Sequence, residues 1–250
     1  MDQKREIEDA VSHFHQPQDG YRFSADSILL ADFVDISNRK NVADLGAGCG
    51  VVGLCALEKS SVHTTTNLRR SIAPLEHKSP QGLKTAPGPA SAMMPRQGPE
   101  RFYFIEREKT MLESLARNLA LYQPRTSVRL VLMERDWRDL SPADFGGPLD
   151  YIMANPPYFP LKGSRPSRNP GRDAARREVH GGLADLVAAI GRLLAPDGLA
   201  ALVLPPGREN DLRKALSENG LEIRSGQKAP AGKTPDLWLL GRSNYSAAAD

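Results

Sequence analysis

The residues Asp44-Leu45-Gly46-Ala47-Gly48-Cys49-Gly50 set a carboxylate and three alternate glycines between a short apolar run, Asn41 to Leu45, and an apolar stretch opening at Val51. An apolar run of that length bounded by glycine reads as a buried strand, and the stretch behind it as a helix. Alternate glycines let the chain turn sharply and bring backbone N–H groups close to a ligand, with a helix N-terminus behind them. Strand, glycine turn and helix in this order begin a βαβ unit, whose ligand sits at the carboxyl edge of the sheet. The glycines alone leave the ligand open, because Gly48, Gly50 and Gly53 also fit the G-x-G-x-x-G dinucleotide fingerprint. In that case the first glycine would sit at the strand end, whereas Gly48 comes two residues late. The acid just before Gly46 shifts the balance away from a dinucleotide.

The same alternation continues along the chain. Arg101 to Glu106 reads as a second strand, and Met111, Leu112, Leu115, Leu119 and Tyr122 recur at helical spacing behind it. Val128 to Met133 and Leu149 to Ala154 read as a third and a fourth. Leu183, Leu186, Val187, Ile190, Leu193 and Leu194 mark an amphipathic helix, which Pro196-Asp197-Gly198 is expected to stop before a fifth strand, Leu199 to Leu204. Segments around Leu221 to Arg224 and Leu237 to Leu240 supply two final strands. The expectation is an α/β fold with a mostly parallel seven-stranded sheet, a single domain over 41–242, an N-terminal segment 1–40 and a flexible tail 243–250.

Residues 59–99 break the rhythm: they hold no aromatic residue, six prolines and three glycines. Six basic residues stand there against Glu76 alone, in a chain whose net charge is only +3. The composition predicts a disordered, low-complexity insert, with a basic arm touching a polyanion as the alternative.

Glu106, at the end of the second strand, is placed to accept hydrogen bonds from the vicinal hydroxyls of a ribose. It lies further from the glycines than the usual twenty or so residues, and excising 59–99 restores a normal spacing. Asn155-Pro156-Pro157-Tyr158 follows the fourth strand directly. Two prolines fix φ and remove donors, so the tetrapeptide is a rigid bracket that presents the Asn amide and a carbonyl in a set direction. Tyr158 offers a flat face to a planar substrate. Behind the bracket come Lys162, Arg165, Arg168, Arg172, Arg176 and Arg177, opposed only by Asp173, a run suited to nucleic-acid phosphates or to a solvated surface.

Cys49 and Cys55 are too close together to staple a fold and have no neighbouring histidines for zinc, so neither a disulfide framework nor a metal is expected. No run approaches the roughly 18 apolar residues of a membrane helix, and the N-terminus is too charged for a signal peptide. A soluble, cytoplasmic protein is expected.

With D-x-G-x-G-x-G and N-P-P-Y together, the chain resembles the class I S-adenosylmethionine-dependent amino-methyltransferases. More closely it is similar to the bacterial tRNA (adenine-N6)-methyltransferase family that modifies valine tRNA next to the anticodon. That likeness rests on Gly20-Tyr21-Arg22-Phe23-Ser24-Ala25-Asp26-Ser27-Ile28-Leu29-Leu30-Ala31, on Asn155 to Phe159 and on the Arg-rich segment running into His180, and it covers about 1–58 and 100–242. The resemblance implies a Rossmann-like fold with S-adenosylmethionine as cofactor. Asp44, Gly46, Gly48 and Gly50 would line its methionine part, Glu106 its ribose and Asp136 its adenine, while Asp26 would help close the site. Asp26 has a plainer alternative, as cap of a helix beginning at Ser27. Asn155 and Pro156 would accept hydrogen bonds from the target amine within the Asn155-Pro156-Pro157-Tyr158 bracket, and Asn155 would border the cofactor. Tyr158 and Phe159 would stack on an extruded adenine, and Arg165, Arg168, Arg172, Arg176 and Arg177 would meet RNA phosphates. The partner implied is RNA, above all tRNA, bound by a monomer or weak homodimer without metal or membrane. Two departures stand out: the insert shortens the helix after the glycine turn, and Glu134 adds an acid beside the adenine position. Four rivals stay open: a protein-glutamine methyltransferase, another RNA or DNA amino-methyltransferase, a nicotinamide-dependent oxidoreductase and a non-catalytic RNA-binding relative.

Overall fold

The computed structural model describes residues 13–17, 22–61, 98–155, 182–228 and 235–243. Seven strands form one sheet: β1 (Asn41–Leu45), β2 (Arg101–Glu106), β3 (Arg129–Glu134), β4 (Leu149–Ala154), β5 (Leu194–Leu204), β6 (Leu221–Gln227) and β7 (Asp236–Arg242). Their order across the sheet is β3-β2-β1-β4-β5-β7-β6. The pairs among β1 to β5 are parallel, and β7 runs antiparallel to both β5 and β6. The chain crosses from β3 back over β2 and β1 to β4, so the order reverses beside β1. In open α/β sheets the ligand crevice lies at that switch point.

Period-two alternation divides the strands between two apolar layers. Val42, Phe102, Phe104, Tyr151 and Met153 pack with α1 (Ala25–Phe33), α2 (Val51–Ser61) and α3 (Lys109–Tyr122). Ala43, Tyr103, Ile105, Ile152 and Ala154 pack on the opposite face with α4 (Leu183–Leu193) and α5 (Glu209–Glu218). Of the helical stripe read along α3, Met111, Leu115, Leu119 and Tyr122 are buried, while Leu112 is half-buried. Parity therefore sends the even residues Asp44 and Glu106, and Asn155 on the odd-numbered β4 face, toward the α1–α2–α3 layer.

Two boundaries differ from the sequence expectation. Pro196-Asp197-Gly198 does not separate α4 from the fifth strand: α4 passes straight into β5 at Leu194. Leu194 already pairs with Leu149, the register then shifts, and Leu199 pairs with Tyr151, so the Pro-Asp-Gly residues bulge within the strand. Second, α1 begins at Ala25, so Asp26 lies in the first turn and not at the cap. There its charge complements the positive end of the helix dipole. Ser61 ends α2, and 62–97 lie outside the described residues, as do the 244–250 tail and 1–12. The expected disorder of the insert therefore falls on residues that are not described.

Among the described residues no helix is long and apolar enough to cross a membrane, and no cluster of His, Cys, Asp and Glu is able to hold a metal ion.

Candidate functional site

The turn after β1 needs its glycines. Gly46, Gly48 and Gly50 have φ of 77°, 57° and 87°, a region that L side chains rarely adopt. A Cβ on Gly46 or Gly48 would meet nothing within 4 Å, so the bare Cα faces of these two border open space. Gly50 and Gly53 serve packing instead. A Cβ on Gly50 would stand 2.8 Å from Leu115, and one on Gly53 2.5 Å from the Phe104 ring. The third glycine of the dinucleotide pattern is thus accounted for by the approach of α2 to β2.

The N–H groups of the turn are used differently from the sequence expectation. Gly46 and Ala47 both donate to the Ile105 carbonyl at 2.9 Å, and Gly50 donates to Ala47 at 2.8 Å. Gly48 donates to Glu106 Oε2 at 2.8 Å. Protein acceptors hold the turn, and what it presents to the cleft is an uncluttered backbone face.

Glu106 is buried at the end of β2. Its Oε1 accepts the N–H groups of Arg107 and Glu108, both at 2.7 Å. Burial raises its pKa above the usual carboxylate range, against the pull of these three backbone donors. Asp44 lies beneath the turn, where Oδ2 accepts the Gly53 N–H at 3.2 Å. Burial, reinforced by the neighbouring Glu106, pushes its carboxyl up to about 7. Asp136 follows β3 and is held by two arginines: Arg107 Nη1 and Arg138 Nη2 each reach Oδ2 at 2.6 Å. Those cations hold its carboxyl well below the ordinary value.

Across the cleft, Asn155 directly follows β4, and its Nδ2 donates to Ser27 Oγ on α1 at 2.9 Å. Gly46, Gly48, Asn155, Ser27, Phe23 and Met111 line one cleft that opens to solvent. The fold thus brings Gly46, Gly48 and Asn155 together at the switch point, with Asp44 and Glu106 directly behind the glycine turn. Asp26 sits on α1, and Asp136 one strand further out.

Sequence reasoning missed Ser27 as a site residue and missed Asn118. Asn118 on α3 is buried, donates to the Cys49 carbonyl at 2.8 Å, and exchanges hydrogen bonds with the backbone of His15 at 2.8 and 2.9 Å. It ties the N-terminal segment to the glycine turn. Beside it Phe14 stacks on Tyr122, whose hydroxyl donates to Glu58 at 2.7 Å. The available signal was polarity inside an apolar stripe: Ser27 shares a buried face with Leu30 and Ala31, and Asn118 shares one with Leu115 and Tyr122. Pro156, Pro157, Tyr158, Phe159, Arg165, Arg168, Arg172, Arg176 and Arg177 lie outside the described residues.

No family model matches the chain. In sequence it is similar to curated proteins named tRNA1(Val) (adenine(37)-N6)-methyltransferase. It is 29% identical over 229 residues to that of Shewanella amazonensis, covering 90% of this chain and 78% of the relative. It is 26% identical over 204 residues to that of Shewanella putrefaciens, covering 81% and 68%. Among solved structures, a ribosomal protein L11 methylase from Lactobacillus delbrueckii superposes with a TM-score of 0.53 at 15% identity, covering 91% of this chain and 83% of that one. A Pyrococcus horikoshii protein thought to be an RNA methyltransferase superposes with a TM-score of 0.55 at 16% identity, covering 97% and 100%. The fold is the one seen in class I methyltransferases, and in sequence the chain resembles the bacterial tRNA1(Val) (adenine(37)-N6)-methyltransferases.

Proposed function

We propose that this chain uses S-adenosylmethionine to methylate N6 of an unpaired adenine in RNA, in the anticodon loop of a tRNA. The observation that carries the reading is that Asn155, directly after β4, shares a cleft with the open faces of Gly46 and Gly48. The likeness to tRNA1(Val) (adenine(37)-N6)-methyltransferases supports the choice of substrate.

The residues present suit the cofactor. A side chain at Gly46 or Gly48 would occupy the space that these glycines leave open. In this reading the glycine turn and Asp44 hold the methionine part, Glu106 the ribose and Asp136 the adenine end, with Asp26 on the helix that closes over them. When bound, S-adenosylmethionine supplies an electrophilic methyl group on a sulfonium sulfur.

The chain's own contribution is positioning. The lone pair of an exocyclic amine is delocalised into the adenine ring, which makes it a poor nucleophile. Asn155 Oδ1 and the Pro156 carbonyl accept from the two N–H bonds, localise the pair and aim it at the methyl group. No general base is required, because the nitrogen becomes acidic only after it is methylated and then loses its proton to solvent. Phe23 and Met111 contribute apolar surface to the cleft. An adenine must leave its stack to arrive there, and Tyr158 and Phe159 are the faces that would receive it. Arg165, Arg168, Arg172, Arg176 and Arg177 would hold the phosphates.

Labelled cofactor incubated with total RNA and total protein in parallel, followed by nucleoside mass spectrometry, tests the reading. The expected product is N6-methyladenosine in tRNA, with activity falling steeply as salt rises. Label in protein glutamine or in N2-methylguanosine would overturn the substrate assignment.

A further inference from the structure

We infer that Asn118 is a positioning residue for the cofactor, through which the N-terminal segment 13–15 fixes the glycine turn from behind. The inference rests on the reading above, in which that turn holds the methionine part of S-adenosylmethionine. His13, Phe14, His15 and Asn118 stand outside the lining of the cleft, so any effect they have on a ligand passes through the turn. A turn rich in glycine has few steric reasons to keep one shape, and hydrogen bonds have to select it. Two of them act on N–H groups: Gly48 donates to Glu106 and Gly50 to the Ala47 carbonyl, both at 2.8 Å. The Cys49 carbonyl, between them, accepts from Asn118 Nδ2 at 2.8 Å. Asn118 is only 1% exposed, so bulk water cannot readily stand in for it.

Asn118 meets three backbone groups, and their roles fix which way its amide faces. The Cys49 and His15 carbonyls can only accept, and both receive Nδ2, at 2.8 and 2.9 Å. The His15 N–H can only donate, and it meets Oδ1 at 2.8 Å. The flipped amide would set oxygen against two carbonyls and an NH2 group against an N–H. One side chain therefore joins the turn to the segment. The segment is seated on the same helix, one turn further along α3. There the Tyr122 ring stacks on Phe14 with centroids 5.6 Å apart, and its hydroxyl lies 2.9 Å from His13 Nε2. Seating of the buried Phe14 ring holds the His15 backbone against Asn118, and Asn118 holds the peptide between Cys49 and Gly50. When the segment lifts, Asn118 loses two of its three partners and nothing keeps its amide on Cys49. A turn that spends only part of its time in the binding shape binds more weakly in proportion to that fraction.

The test compares two single variants and their combination in the full chain. Asn118→Ala cuts the tie at its centre, and Phe14→Ala unseats the segment without touching the turn. Each is expected to weaken S-adenosylmethionine binding in calorimetry by about fivefold to thirtyfold, and to raise its KM more than it lowers kcat. Because both act along one tie, the double variant should bind within about threefold of Asn118→Ala. Losses that multiply in the double variant would overturn the inference, as would a Kd for Phe14→Ala within about twofold of wild type. A second readout needs no cofactor. The Gly50 N–H belongs to the peptide whose carbonyl Asn118 holds, so Phe14→Ala should speed hydrogen exchange at Gly50 by more than about tenfold while amides in the middle of β1 stay as slow as in wild type. This measurement decides the matter if Asn118→Ala does not fold. Unchanged exchange at Gly50 overturns the inference, and so does an equal acceleration over β1, which marks a merely structural role. Faster exchange confined to the turn, in a chain that binds no S-adenosylmethionine, would confirm the tie and remove the cofactor reading.

Discussion

Glu106 accepts the backbone N–H of Gly48 at 2.8 Å, joining the end of β2 to the turn after β1 across 58 residues of chain. With Arg107 and Glu108 on its other oxygen, one carboxylate holds three backbone donors in place. Glu106→Ala leaves those donors without their acceptor, a loss of about 2–4 kcal/mol if one or two of them stay shielded from water. Glu106→Gln keeps the shape but turns an NH2 group toward one of the N–H partners. We expect Glu106→Gln to fold with a lower Tm and to bind S-adenosylmethionine at least about tenfold more weakly. Calorimetry on the two variants checks this, and unchanged affinity in both would detach Glu106 from the cofactor.

Gly48 and Gly53 should fail in different ways. Gly48→Ala introduces a Cβ at φ 57° into open space, so the fold should survive with a loss of about 1–2 kcal/mol while cofactor binding falls by at least about tenfold. Gly53→Ala drives a Cβ to within 2.5 Å of the Phe104 ring and 2.8 Å of Phe102. Overpacking of that kind costs about 1–3 kcal/mol or more, and it should lower Tm whether or not ligand is present. Thermal melts with and without S-adenosylmethionine separate the two; a Gly48→Ala protein that is stabilised by the cofactor as strongly as wild type would contradict the assignment.

Asp44 makes stability depend on pH. Its folded carboxyl titrates near 7, above the ordinary 3.8, because burial disfavours the charged form. Between those values the folded state binds more protons than the unfolded state, so this group's contribution declines as pH rises from about 4 to about 7. The Tm of Asp44→Asn, measured against wild type at pH 4, 5, 6, 7 and 8, should rise relative to it across that window and then level off. A difference that does not vary with pH would show that Asp44 titrates like an exposed carboxylate.

Asn155→Ala separates binding from chemistry. Cofactor affinity should stay nearly unchanged while methylation slows by at least about a hundredfold, the scale on which one positioned polar group acts in a transition state. Single-turnover rates at saturating cofactor measure it, and near-normal turnover would remove the amide from the mechanism.

The strand–turn–helix around Asp44 and the short apolar runs of β1, β2 and β4 were legible in the amino-acid sequence, because burial on both faces of a parallel sheet writes an apolar run directly into residue order. Strand register, which sets Asp44 beside Phe104 and Met153, is what puts Asp44, Glu106 and Asn155 on one face of the sheet. Other features carry no such trace. That the turn's N–H groups go to Ile105 and Glu106, that Asn155 meets Ser27, and that Asn118 joins His15 to Cys49 are matches between single polar groups far apart in the chain. Such partners need only coincide in space, and no spacing rule announces them. The unbroken passage of α4 into β5 was hidden for a related reason: Pro196-Asp197-Gly198 has the local chemistry of a turn, and pairing of Leu194 with Leu149 on β4 overrides it. Local chemistry therefore determined the elements, and only strand register and the packing of α1, α2 and α3 decided that the carboxylates and Asn155 share a face and which side chains hold them.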